Sequence, residues 1–348
     1  MSGKEWWRPE VFERRRPALL ARSRILSALR AFFNGRGFVE VETPCLQRSP
    51  GLEPHIMALS TELAEPFGTT TQRLYLHTSP EFTMKKLLVA GMPKIFQIAH
   101  VWRDGERSPI HHPEFTMIEW YRSGAGYEAL MEDCADILAI AARAAGSREL
   151  RRGERRCDPK VRPMRLTVSQ AFFDYCGIDL LATTVDPWHP DGALLGEQAR
   201  AMGLHIGDGD SWEDIFFRIM MERIEPNLGD EVPLILCDYP VSMAALSRPR
   251  PDDPRVAERF ELYACGVELA NGFGELTDAA EQRRRFEADM DLKERLYGLR
   301  YPIDEDFLAA LEAGLPDCAG IALGVDRLIM LATGMATLDD VLWAPVAL

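Results

Sequence analysis

Three segments of the chain carry residues whose types and spacing suit phosphate and cation chemistry. The first reads as a long hairpin, with a strand over 95–102, a polar loop over 103–113 and a return strand over 114–122. Arg103 opens the loop, His111 and His112 close it, and Phe115 and Glu119 sit on the return strand. An arginine at a rigid strand end can grip a phosphate with two parallel N–H groups. An aromatic ring one strand away can stack a purine. The second segment spaces Glu261, Glu268 and Glu275 seven residues apart, with Asn271 among apolar neighbours. Oxygen ligands of this kind suit a divalent cation on phosphate, or recognition of an organic cation. Glu261 and Glu275 share a strand parity that Glu268 breaks. Convergence of all three therefore demands a bulge or turn, which Gly266, Gly272 and Gly274 permit. The third segment is Gly324-Val325-Asp326-Arg327 at a strand-to-helix turn. Glycine allows close approach there, the helix start favours an anion, and Arg327 adds a planar cation. The chain has no G-x-x-x-x-G-K-[ST] loop and no G-x-G-x-x-G after a strand, so a bound nucleotide would rest on these segments.

The elements that must position these groups follow from periodicity. Ile25, Leu26, Leu29, Phe32 and Phe33 fall on one face of a helix over 19–34, stopped by Gly35 and Gly37. A strand over 38–43 ends at Pro44. A helix over 80–90 is expected to turn Leu87 and Leu88 inward and Lys85 and Lys86 outward. A further helix spans 127–145, strands span 232–239 and 258–275, and Thr277 opens a charged helix through Tyr297. A strand over 320–324 leads into a helix over 325–333. Strands gather around hairpins rather than alternating with crossover helices, which predicts an α+β fold with an antiparallel sheet flanked by helices. The segment 148–165 holds eight basic and three acidic residues. It reads as a solvated surface excursion or as a docking surface for an acidic partner.

Composition narrows the function further. With 348 residues, 47% hydrophobic and 27% charged, the chain is globular rather than disordered. Its 40 Lys+Arg against 54 Asp+Glu give a net charge of −14, which excludes a generic nucleic-acid coat. Seven scattered cysteines without a Cys-x-x-Cys argue against zinc or a disulfide framework and fit a reducing cytosol. No secretory signal or bilayer-length apolar run is visible, so a cytoplasmic location without membrane contact is expected.

At the three segments the sequence resembles the catalytic core of class II aminoacyl-tRNA synthetases of the lysine-specific branch. The helix and strand before Pro44 resemble motif 1, Val101 to Tyr121 resembles motif 2, and Gly320 to Leu328 resembles motif 3. Lysyl-tRNA synthetases carry an anticodon-binding OB domain ahead of this core. Here motif 1 begins near residue 19, so 1–348 is expected to be a single catalytic domain with no such neighbour. That arrangement resembles the elongation factor P–(R)-β-lysine ligase family, as do Trp6-Trp7-Arg8-Pro9, Thr78-Ser79-Pro80-Glu81, the run from His112 to Tyr121, and Glu268 to Phe273. Ala322 stands where lysyl-tRNA synthetases carry a glycine.

The resemblance implies activation of (R)-β-lysine or lysine as an adenylate with ATP and Mg²⁺, and its transfer to a lysine of elongation factor P. It implies a homodimer through residues 19–44. Arg103 and Arg327 would be catalytic. Glu106, His111, Phe115, Glu268, Leu269 and Gly324 would join them in binding ATP, with Phe115 on one face of the adenine and Arg327 on the other. Glu261 and Glu268 would hold Mg²⁺. Ser79, Glu81, Glu119, Tyr121, Asn271, Phe273, Glu275 and Ala322 would receive the amino acid. In place of the family's motif 2 glutamate this chain has Gly105, followed by Glu106, and His112 replaces the usual asparagine. The alternatives are a paralogue that charges a tRNA or small acceptor, and a non-catalytic sensor of lysine or its adenylate.

Overall fold

Runs of mostly buried residues, broken by polar loops, lay down the central strands of one large sheet. The computed structural model describes residues 5–64, 66–68 and 71–346. In chain order the strands are β1 (Val39–Glu40), β2 (Leu46–Gln47), β3 (Ser60–Ala64), β4 (Thr71–Leu76), β5 (Lys94–Trp102), β6 (Glu114–Ser123), β7 (Leu150–Arg152), β8 (Arg155–Cys157), β9 (Met164–Thr167), β10 (Leu234–Pro240), β11 (Val256–Ala264), β12 (Val267–Gly274) and β13 (Cys318–Gly324). The helices are α1 (Pro9–Gly35), α2 (Glu81–Val89), α3 (Glu128–Ala145), α4 (Val168–Cys176), α5 (Gly192–Ala201), α6 (Trp212–Ile219), α7 (Ala279–Tyr297), α8 (Glu305–Gly314) and α9 (Val325–Thr333). The main sheet runs β1-β5-β6-β13-β12-β11-β10-β9. Its six central strands pair antiparallel, and only the edge pairs β1/β5 and β10/β9 are parallel.

The two faces of the sheet are covered differently. On one face Ile25, Leu29 and Phe33 of α1, Leu130 to Ala142 of α3 and Leu328 to Leu331 of α9 pack against Phe96, Ile118, Trp120 and Ile321. On the other, Phe82, Met84 and Leu88 of α2, Phe286 and Met290 of α7 and Phe307 to Leu311 of α8 cover Ile95 and Tyr121 at one end. Helices α4 to α6 cover Leu234 and Leu236 at the opposite end through Phe172, Trp212 and Phe216. The middle of this second face stays open between the two helical groups.

Four expectations change. Helix α1 starts at Pro9, because Pro17 lies inside it and does not end it. The strand expected over 38–43 shortens to Val39–Glu40, which pairs parallel with β5 at the sheet edge. Lys85 turns inward and is 1% exposed, since Phe82, Met84 and Leu88 set the buried face of α2 and Lys85 falls on it. The basic segment is not an excursion from the core. It forms the β7/β8 hairpin, whose Leu150 and Cys157 are fully buried in the main core while the arginines stay largely outside. Removing it would open that core, so a docking role is better probed by replacing its arginines.

Candidate active site

Cross-strand register places the chemistry on the open face. Gln97, Glu119, Ala322, Asn271 and Glu261 form one row across β5, β6, β13, β12 and β11, each paired with the next. Paired residues in an antiparallel sheet point to the same side, so the whole row faces the gap between the helical groups. The next row holds Tyr121, Gly320, Phe273 and Arg259. A methyl group at Gly320 would overlap the Tyr121 ring and the Glu275 carboxylate, which explains a glycine there. Glu268 joins this face through the bulge that sequence parity demanded. The β11/β12 register shifts at Leu262/Tyr263, so Leu269 is the extra residue and Glu268 pairs with Tyr263.

The rows floor a cavity of about 510 Å³. Its wall includes Ser79, Glu81, Arg103, Glu106, His111, Phe115, Glu261, Glu268, Leu269, Asn271, Phe273, Ala322, Gly324 and Arg327, all anticipated from sequence. Glu119, Tyr121 and Glu275 are at most 3% exposed and lie outside that wall. Glu119 meets it through Ser79, whose hydroxyl donates to Glu119 Oε1 at 2.6 Å, while Tyr121 OH donates to Glu119 Oε2 at 3.0 Å; Glu275 meets it through Lys85, which also pairs with Glu81. Burial and the nearby Glu81 charge push the Glu119 carboxyl up to about 8 despite these donors.

At the other end sit the guanidinium groups. Arg327 donates to the carbonyls of Glu268 at 2.9 Å and Ile110 at 3.2 Å, and its Nη2 meets His111 Nε2 at 2.8 Å. A guanidinium can only donate, so His111 Nε2 accepts and its Nδ1–H donates to Ser108 Oγ at 2.7 Å. Burial and then the Arg327 charge lower the pKa of His111, in keeping with this neutral tautomer. Arg103 lies 5.3 Å from the Phe115 ring centroid and 3.6 Å from Glu106, and its buried Nε has no partner. The guanidinium over Phe115 belongs to Arg103, so an adenine stacked on that ring would share it with this side chain. Gly105 adopts φ +77°, a turn favouring glycine. It leaves Glu106, and not position 105, on the cavity wall.

Glu261 is braced on three sides. Tyr239 OH and Tyr263 OH donate to its Oε2 at 2.6 and 2.7 Å, and Arg259 donates to Oε1 at 2.6 Å. Burial and then the Glu261 charge raise the pKa of Glu268. Glu225 is pushed up to about 7 by burial and by Glu261 and Glu268. Carboxylates that crowd one another around a cavity suit a divalent cation, so Glu261 and Glu268 fit the Mg²⁺ role. Among the described residues no group of three or more His, Cys, Asp or Glu side chains is placed to hold a metal ion, so a cation on Glu261 and Glu268 would take its remaining ligands from phosphate or water.

Sequence reasoning missed several contributors. Tyr239 and Glu225 lie far in sequence from the groups they touch, Lys85 meets the distant Glu275 as well as Glu81 one helical turn away, and Arg259 stands two positions from Glu261 on the same strand. Glu213 and Phe217 reach the wall from α6, and Glu53 and Asp289 also line it. Burial pushes Asp289 up to about 8, helped by Glu53 and Glu213. Helix α6 did carry a readable signal: a Ser211/Asp214 capping box with Trp212, Ile215, Phe216 and Ile219 on one face.

A nucleotide-sized cavity on a mostly antiparallel sheet, with arginines from a hairpin loop and a strand-to-helix turn, is an arrangement for handling phosphate next to a cation. The sequence matches the family of class II tRNA synthetases (D, K and N) over residues 9–347, and the chain belongs to that family. It is 39% identical over 342 residues, 98% of each chain, to the elongation factor P–(R)-β-lysine ligase of Haemophilus influenzae (strain PittGG). Among the described residues no helix is long and apolar enough to cross a membrane.

Proposed function

We propose that this chain activates (R)-β-lysine as an adenylate with ATP and transfers it to a lysine side chain of elongation factor P. The observation that carries this reading is one cavity with two chemistries. Arg103, His111 and Arg327 line it together with the acidic residues Glu81, Glu261 and Glu268. The first set suits triphosphate, and Glu81 with the adjoining Glu119 suits an amino acid bearing an extra ammonium. The similarity to the Haemophilus ligase supports the choice of substrate and acceptor.

The substrate carboxylate attacks the α-phosphorus, the bond to the β-phosphate oxygen breaks, and pyrophosphate leaves. Arg103 and Arg327 would offset the charge on the phosphoryl oxygens and hold the reactants in line. Mg²⁺ on Glu261 and Glu268 would supply further neutralisation when bound. The acceptor amine, ordinarily near pKa 10.4, then attacks the adenylate carbonyl after losing a proton, forming the amide and releasing AMP. No enzyme nucleophile is required. We also infer a homodimer through 19–44, supported by Leu20 and Val39, which are each 47% exposed on α1 and β1. Cytoplasmic action follows from the proposed acceptor.

Intact-mass measurement of elongation factor P after incubation with the enzyme, ATP and each amino acid tests the reading. A mass gain of one lysyl residue, larger with (R)-β-lysine than with α-lysine, is expected. No gain with either would refute it. Ala322 lies between Glu119 and Asn271 in the row, where its methyl would take up space beside the amino acid. Ala322→Gly is expected to shift the ratio of exchange rates toward α-lysine by about tenfold, the scale set by one methyl group in a pocket. An unchanged ratio would remove Ala322 from specificity.

A further inference from the structure

Lys85 is buried beside the cavity without lining it. Its ammonium is 2.5 Å from Glu81 Oε1 and 2.5 Å from Glu275 Oε2, and 5.9 Å from the Phe307 ring centroid. Lys85 and Glu275 side chains are each 1% exposed, and Glu81 is 12% exposed at the cavity wall. Burying an ammonium costs several kcal/mol, and well-packed apolar residues often replace a buried ion cluster without loss of stability. Stability alone therefore gives little reason for a lysine here. Its position gives a better one. Glu81 N donates to Ser79 Oγ at 3.0 Å, and that hydroxyl donates to Glu119, so Lys85, Glu81, Ser79, Glu119 and Glu275 form one connected group.

We propose that Lys85 is a positioning residue of the amino-acid end of the cavity. Held between Glu81 and Glu275, it sets how much negative charge that end presents, and so selects a substrate bearing two ammonium groups. The inference rests on the reading that the cavity binds a diamino acid. Once binding has drawn the proton from Glu119, the three carboxylates less the Lys85 ammonium leave two negative charges. A diamino acid whose carboxylate has been joined to phosphate carries two positive ones. Other groups face the cluster. Tyr121 comes from β6, Arg248 acts on Glu275 from the segment before β11, and Cys318 stands on β13. From the loop ahead of α8, Asp304 is occupied by Lys86. Among the described residues, Lys85 and Arg248 counter the Glu275 charge, and Lys85 that of Glu119.

Burial pushes Glu275 up to about 7, with Lys85 pulling it down and Glu81 pushing it further up. Burial opposes the Lys85 charge, but Glu275 and Glu81 more than offset this and hold its pKa above lysine's ordinary value. Removing the ammonium therefore raises the carboxyl pKa values further. Protonated carboxyls no longer attract an ammonium, so amino-acid binding should weaken as pH falls, and at higher pH than in the native protein.

The test is the pH profile of amino-acid-dependent ATP–pyrophosphate exchange for the native protein, Lys85→Met and Lys85→Arg. In Lys85→Met the KM for (R)-β-lysine at pH 7 should rise at least tenfold with the KM for ATP within twofold. The acid limb of kcat/KM should move up by about one pH unit, and Lys85→Arg should restore it. An unmoved limb and an unchanged amino-acid KM overturn the proposal, as does an equal loss in both KM values. If Lys85→Met does not fold, calorimetry on the native protein in two buffers decides. Binding at pH 7 should release about one proton, chiefly from Glu119. Release of two or more means that Lys85 does not keep its partners ionised and overturns the proposal. Absence of exchange in the native protein with either lysine isomer would instead overturn the underlying functional reading.

Discussion

Arg327→Ala is expected to lower amino-acid-dependent ATP–pyrophosphate exchange by about 10³-fold, the loss typical when one preorganised charge-stabilising donor is removed. The side chain does more than supply a charge. Two backbone carbonyls, of Glu268 and Ile110, hold the guanidinium, and His111 accepts from its third nitrogen. This fixes its plane before any ligand arrives, so little reorganisation is needed at the moment of reaction. Arg327→Lys should recover little, because an ammonium cannot reproduce a three-point planar fit. Near-normal exchange in Arg327→Ala would take the residue out of the reaction. The native tautomer of His111 should change as well, since its Nε2 would lose its donor, and imidazole NMR would report that separately from rate.

Asp326→Ala, one residue earlier, is expected to cost about 3–5 kcal/mol of stability in urea unfolding. Asp326 is 1% exposed and Arg22 is 5% exposed. Arg22 donates to Asp326 Oδ1, to Thr116 Oγ1 at 2.7 Å and to the Val341 carbonyl at 3.3 Å, while Thr116 N donates to Asp326 Oδ2 at 2.7 Å. Deleting the carboxylate would leave a guanidinium buried without its counter-charge. Replacing both partners with apolar residues, as in Arg22→Met with Asp326→Leu, should recover most of the loss. A loss below about 1 kcal/mol in the single variant would mean that water enters and solvates Arg22. Because Arg22 lies on α1 and Thr116 on β6, the pair also fixes the start of α9, and with it Arg327.

The sequence carried the hairpin, the Gly324–Arg327 turn and the antiparallel core, because each depends on local signals: period, turn residues and chain order. It also carried the need for a bulge or turn if Glu268 was to join Glu261 and Glu275, which follows from parity alone. What it lacked depends on three-dimensional neighbours. Lys85 looks like any surface lysine next to Lys86, and only the packing of Phe82, Met84 and Leu88 turns it inward. Tyr239 meets Glu261 because β10 and β11 register side by side, which its own spacing does not announce, whereas Arg259 and Tyr263 flank Glu261 at two-residue spacing on β11, a signal that was there to read. The segment of α4 to α6 lay between recognised stretches. Its capping box and one-sided apolar face were legible but unread.

The extra residue at Leu269 has a consequence for inheritance. Every strand neighbour of β12 is indifferent to which of two successive residues faces the cavity, provided the ladder closes. Loss of Val267 could be absorbed by straightening the bulge, with Leu269 moving into register opposite Tyr263 and Glu268 opposite Ala264. Such a protein would keep its sheet and turn the Glu268 carboxylate away from the cavity. In a lineage it would look like a harmless gap and act as a silencing lesion. The length of β12, as much as the identity of its glutamate, decides what lines the cavity.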